Sequence, residues 1–154
     1  MKRDSVSVAF VREALRALAA RGIDAAPVLA AAGVQPALIG TESARISAQA
    51  FGRLWLGIAE ALDDEFFGQD SRRLKVGSFA TLCHLTLHTR DLREALTRGG
   101  RLLNLLLDDT RIELVLDRPQ AVIRFVHTGA PVPLFAHETL FVMLHGLMCW
   151  LIGR

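Results

Sequence analysis

The stretch Arg111-Ile-Glu-Leu-Val-Leu-Asp117-Arg118-Pro119-Gln120-Ala-Val-Ile-Arg-Phe125 decides the fold. Ile112, Leu114 and Leu116 alternate with Arg111, Glu113 and Asp117, and Ala121, Ile123 and Phe125 alternate with Arg124, so the hydrophobic period here is two. Asp117 to Gln120 carry turn chemistry, which makes the pair a β-hairpin. In the long segments on either side the apolar residues recur at steps of three and four. Just upstream, Asp91 followed by Glu94 reads as a capping box for a helix running to about Leu107, its buried stripe formed by Leu92, Ala95, Leu96, Leu102, Leu103 and Leu106. Gly99-Gly100 inside it permits close packing or a kink. Just downstream, a loop with Pro131 and Pro133 leads into a last helix over residues 134–152.

Working back towards the start, Ser7 is placed to cap a first helix with Val8, Val11, Leu15 and Leu18 on one face, ended by Gly22. Asp24 is expected to cap a short Ala-rich helix ended by Gly33, followed by a loop with one helical turn after Pro36. Ser47 caps a third long pattern with Phe51, Leu54, Trp55, Ile58 and Leu62 on its stripe. Residues 63–78 lack periodicity and read as an ordered loop. A fourth helix is expected over 78–88, so the hairpin lies between the fifth and last helices. The fold class is therefore α+β, mostly helical, with an antiparallel sheet that two strands leave incomplete.

The chain has 154 residues, 18 Lys and Arg against 16 Asp and Glu, and a mean hydropathy of +0.32. That size suits one domain, residues 1–154, which buries roughly 68 to 70% of its unfolded surface without metal or disulfide. The two cysteines, Cys83 and Cys149, need no bridge, and no charged leader with an apolar core opens the chain. A reducing, cytoplasmic setting is expected. The apolar run over 140–152 is shorter than the ~20 residues of a membrane span, which points to a buried helix or a subunit interface and to no membrane partner.

Side chains with chemical potential are few. His84 and His88 are four apart, as are His145 and Cys149, so each pair shares a helix face and, with Cys83 and His137, could serve a metal, a haem or a nucleophile. No CxxC, HExxH, GxSxG or glycine-rich phosphate loop accompanies them. The expectation is therefore no catalytic residue, no metal ligand and no cofactor. A haem or metal sensor, or a small enzyme using these pairs, is the second reading, and a dimerisation scaffold without ligand is the third. Residues 24–39 imitate a helix-turn-helix, but the second element presents one amide, Gln35, and is not expected to read DNA.

Several segments in order carry a resemblance. Arg21-Gly22-Ile23-Asp24, Val28-Leu29, Ala32-Gly33-Val34, Ala44-Arg45-Ile46-Ser47 and Phe51-Gly52-Arg53-Leu54-Trp55 begin the series. Leu62-Asp63-Asp64-Glu65-Phe66-Phe67-Gly68, Lys75-Val76-Gly77-Ser78-Phe79, Leu92-Arg93-Glu94-Ala95-Leu96 and Leu105-Leu106-Leu107-Asp108-Asp109 continue it. Ala136-His137-Glu138 leading into Met143-Leu144-His145-Gly146 ends it. Together they resemble the amino-terminal, arabinose-binding-like sensor domain of AraC-type transcriptional regulators, those of amino-acid catabolism among them. The resemblance implies an effector-sensing, dimerising module that acts on DNA only through a carboxy-terminal pair of helix-turn-helix motifs, which residues 1–154 do not contain, as they do not contain the further strands of the sensor sheet.

A small-molecule effector and a homodimer are the expected partners. Trp55, Phe79, His84 and His145 are the expected ligand-binding residues, because they combine apolar bodies or helical settings with polar atoms able to orient a small molecule. Self-association is expected through an apolar surface that includes one of the long Leu-rich helices, Leu92 to Leu107 or Leu134 to Ile152.

Overall fold

Two serines, each closing a three-residue strand, start the long helices of the first part of the chain. The computed structural model describes residues 4–117, 119–128 and 132–153, and they form two compact units, Met1–Phe67 and Gly68–Arg154. In the first, β1 (Ser5–Ser7) pairs antiparallel with β2 (Arg45–Ser47), Val6 opposite Ile46. Ser7 Oγ then accepts from Ala9 N at the start of α1 (Val8–Ala20), and Ser47 Oγ from Ala50 N at the start of α4 (Ala48–Leu62). These caps satisfy amides that have no partner inside a helix.

Between them lie α2 (Ala26–Ala32) and the single turn α3 (Pro36–Ile39). Gly33, in the left-handed region at φ +71°, ends α2, and Arg53 of α4 donates to the Ala32 carbonyl at 3.0 Å. A cation there also complements the helix dipole. A Cβ at Gly57 of α4 would stand 2.9 Å from Val28 Cγ1, so the glycine is what lets α2 lie so near. Val8, Val11, Ala14 and Leu18 of α1 are buried, as are Leu54, Ile58 and Leu62 of α4. Each fully buried aliphatic side chain stabilises by about 1.5–3 kcal/mol.

After α4 the chain turns on Asp64, whose buried carboxylate accepts from Phe66 N at 3.0 Å and from Arg21 at 3.3 Å; Arg21 also donates to the Leu62 carbonyl. Phe67 has φ +55°, a left-handed backbone that costs a bulky residue about 1–2 kcal/mol. Its ring is buried and stands edge-on to Trp55 at 4.4 Å between centroids, a packing that offsets the strain.

The second unit is organised by Asp70. Its buried carboxylate accepts from four backbone amides: Arg72 and Asp108 on one oxygen, Asp109 and Thr110 on the other, at 2.9 to 3.1 Å. This fastens the loop before α5 (Ser78–Thr86) to the corner between α6 (Leu92–Leu106) and β3 (Thr110–Asp117). Asn104 of α6 then grips β3 like one more strand, donating to the Ile112 carbonyl at 2.9 Å and accepting from Ile112 N at 2.7 Å. Gly99 of α6 faces Leu82 of α5 so closely that a Cβ would meet Leu82 Cδ1 at 2.9 Å. Close packing, not a kink, is its role.

β4 (Gln120–His127) pairs antiparallel with β3 throughout, from Thr110 opposite His127 to Asp117 opposite Gln120. The chain ends in α7 (Leu134–Leu151), which buries Phe135, Ala136, Thr139, Leu140, Met143, Leu144 and Leu147. By length and composition alone this helix is apolar enough to cross a membrane, and 39% of it is buried. The class is α+β, with seven helices and two two-stranded antiparallel sheets among the described residues.

Some expectations need correction. β1 and β2 stand where a cap and a loop were expected, since three residues are too few to show a period. Ala25, not Asp24, is the N-cap of α2, although Asp24 Oδ1 accepts from Ala26 N at 2.9 Å. On α6 the buried stripe is Ala95, Gly99, Gly100 and Leu103, while Leu92, Leu96, Leu102 and Leu106 are only half-buried and Leu105 is 72% exposed. Glycines form the contact there because backbone, not side chain, meets the neighbour. Arg118 of the hairpin turn, Pro131 of the following loop and the terminal Arg154 lie outside the described residues.

Asp70→Ala leaves four amides without their acceptor and is expected to cost the second unit about 2–4 kcal/mol. Urea denaturation followed through Trp150 in a Trp55→Phe background measures it; a loss below ~0.5 kcal/mol would contradict the role given to this carboxylate.

Candidate functional site

The Asp70 cradle continues into a chain of polar side chains. Thr110, held by its amide to Asp70, is buried, and its Oγ1 lies 3.1 Å from Nδ1 of His127, the last residue of β4. His127 Nε2 in turn lies 3.0 Å from Nε2 of His137 in the first turn of α7, the rings edge-on at 82°. The Phe125 ring lies 6.5 Å from His137 between centroids. Burial lowers the pKa of His127 below the usual histidine value; the neighbouring His137 lowers it further and Asp70 opposes. Two imidazoles, a buried hydroxyl and a carboxylate thus stand in a row. The two imidazoles can share one hydrogen between their Nε2 atoms.

Of the expected ligand-binding residues, Trp55 belongs to the first unit, where it is half-buried in an aromatic cluster: parallel to Phe10 at 6.2 Å, edge-on to Phe51 at 5.4 Å and to Phe67. Phe79, His84 and His145 belong to the second. Phe79 is half-buried near the start of α5, His84 is exposed on the same helix, and His145 is exposed on α7 with its ring stacked on Phe141 at 5.6 Å. His145 Nε2 lies 3.6 Å from the Cys149 sulfur, so this pair does share a helix face. Neither Cys83 nor Cys149 forms a disulfide. Among the described residues no three or more His, Cys, Asp and Glu side chains gather where a metal ion could sit.

The second unit also has a surface hollow of about 570 Å³ over the start of α6, lined by Arg90, Arg93, Arg98 and Arg101 with Asp91, Glu94 and Thr97. Asp91 accepts from Glu94 N, completing half of the expected capping box. The other half differs: Glu94 accepts from Arg90 N instead of Asp91 N, and pairs with the guanidinium groups of Arg90 at 3.1 Å and Arg98 at 2.7 Å. Those hydrogen bonds from Arg90, backbone first, lower its pKa. None of the four expected ligand-binding residues lines this hollow.

His127, Thr110 and Asp70 were not singled out as site residues from the sequence. His127 closes a strand ten residues before His137, and no spacing rule joins a strand end to a helix start. A histidine at the edge of a predicted hairpin facing another in the next helix is the one signal that could have found it.

Comparison with known families agrees with the order of segments already noted. Residues 22–154 match the model of the arabinose-binding domain found at the N-terminus of AraC transcription regulators. No curated protein matches the chain. With the greater part of its length covered by that model, the chain belongs to the family of N-terminal arabinose-binding domains of AraC transcription regulators.

Proposed function

We propose that this chain is the effector-sensing and dimerising domain of an AraC-type transcriptional regulator: a small molecule binds to it and shifts the population of two arrangements of a dimer, and thereby controls DNA binding or activation by the parent protein. The observation that carries this reading is the family match over residues 22–154. The domain then works by ligand binding and not by catalysis, in the cytoplasm, with DNA contacted through a carboxy-terminal domain. Trp55, Phe79, His84 and His145 are each proposed separately as ligand contacts. Their aromatic or imidazole rings suit a small organic effector, and Trp55 and the two histidines add a polar hydrogen-bonding atom.

A thermal-shift screen of amino acids, sugars and small carboxylic acids tests the sensing role. A compound that binds only the folded state, present at 100 times its Kd, stabilises by about 2.7 kcal/mol and raises the melting temperature by several degrees. Substituting alanine for whichever of the four residues contacts it should weaken binding by about tenfold or more. A compound that binds with the same affinity to all four alanine variants would remove them from the site.

Self-association is proposed through the outer faces of α6 or α7. Leu105 is 72% exposed on α6, and Leu134, Phe141, Val142 and Trp150 are exposed on α7, large apolar side chains that a partner copy would cover. Sedimentation at tens of micromolar, on the order at which even a weak dimer is populated, should show a dimer that Leu105→Glu or Phe141→Glu dissociates without loss of helical circular dichroism. A monomer throughout would contradict it. Residues 1–154 alone should show no sequence-specific binding in a DNA anisotropy titration, their net charge being only +2.

A further inference from the structure

At a separation of 3.0 Å the Nε2 atoms of His127 and His137 need one hydrogen between them. With none, two lone pairs face each other; with two, opposed N–H groups do, and two positively charged rings always present both. The neutral pair meets the requirement: one ring donates its Nε2–H and the other accepts, while Thr110 Oγ1, free to rotate its hydrogen, serves whichever form His127 Nδ1 takes. A pair with one additional proton meets it too, the charged ring donating to the neutral one. Only the doubly charged pair cannot.

Among the described residues, the partners of these rings include one carboxylate to hold a second charge. From β3 comes the neutral Thr110, from β4 Phe125, from α7 His137 itself, and from the loop before α5 the carboxylate of Asp70, already shared among four backbone amides. Burial outweighs that carboxylate and holds the proton affinity of His127 down. The histidines also sit at a mechanical junction. His127 is the end of the hairpin and His137 lies in the first turn of α7, the helix with the exposed Leu134, Phe141 and Val142.

We propose that His127 and His137 form a proton-operated latch that fastens the start of α7 to the hairpin, closed while the pair carries at most one additional proton and opened when both rings are charged. A histidine whose folded-state affinity for protons is depressed binds fewer protons folded than unfolded. Its contribution is therefore complete above the ordinary value of about 6.5 and is lost as pH falls through the lower folded value. Acid is thus expected to release the first turns of α7 before the rest of the unit.

Native-state hydrogen exchange of this chain, corrected for intrinsic rates and compared at about pH 7.5 and about pH 5.5, reads the latch. Amides early in α7 should lose protection by about tenfold in acid, the change given by one proton bound over one pH unit. His127→Gln and His137→Gln, which keep a donor and an acceptor near the same place and cannot charge, should each remove that pH dependence. The same loss in both variants, or no loss in the parent, would overturn the proposal. Should either variant fail to fold, the imidazole nitrogen resonances of the parent decide: two separated titration steps support the latch, and two rings titrating independently at the ordinary value refute it.

Discussion

One carboxylate holding four backbone amides governs the second unit. Asp70 reaches the corner where α6 ends and β3 begins, a place where Asp108, Asp109 and Thr110 present three successive N–H groups that neither the helix nor the β-ladder takes. Left unpaired in a partly buried corner, each would cost about 1–3 kcal/mol. Gathered on one charged acceptor, they form charge-assisted bonds that also compensate the carboxylate for its burial. The hairpin's direction follows from this corner, and with it the position of His127 against His137.

Asp64 does related work in the first unit, joining the end of α4 to Arg21 at the end of α1. The two units share a second device, a glycine set where helices meet. Gly57 lets α2 approach α4, and Gly99 lets α5 approach α6, each leaving room that a methyl group would fill. Such contacts gain from close packing of backbone against aliphatic side chains. They also explain why α6 presents Leu105 outwards: glycines take its inner face and leave leucines over.

The long elements were legible in the sequence because each combined a period with a cap. Ser7, Ser47 and Asp91 begin α1, α4 and α6 as their spacing to the first apolar residues indicated, and the change of period at Arg111 located the hairpin. What escaped was short or non-local. β1 and β2 are three residues each, and the grip of Asn104 on Ile112 joins a helix to a strand eight residues away. Asp70 looked like one more charge in an irregular loop, since three of its four partners lie about forty residues on. The site was less legible than the fold: pairs at helical spacing such as His145 and Cys149 drew attention, whereas the closest pair of imidazoles joins two different elements.

The second unit combines a corner fixed by the Asp70 carboxylate with an exposed apolar face on α7. The most direct measurement of this account is residue-resolved amide exchange in the unaltered protein near neutral pH. The amides of Asp108, Asp109 and Thr110, though outside any helix and at the very end of the β-ladder, should exchange as slowly as those in the middle of α6. Exchange at the rate of an exposed loop would contradict the claim that Asp70 holds the unit together.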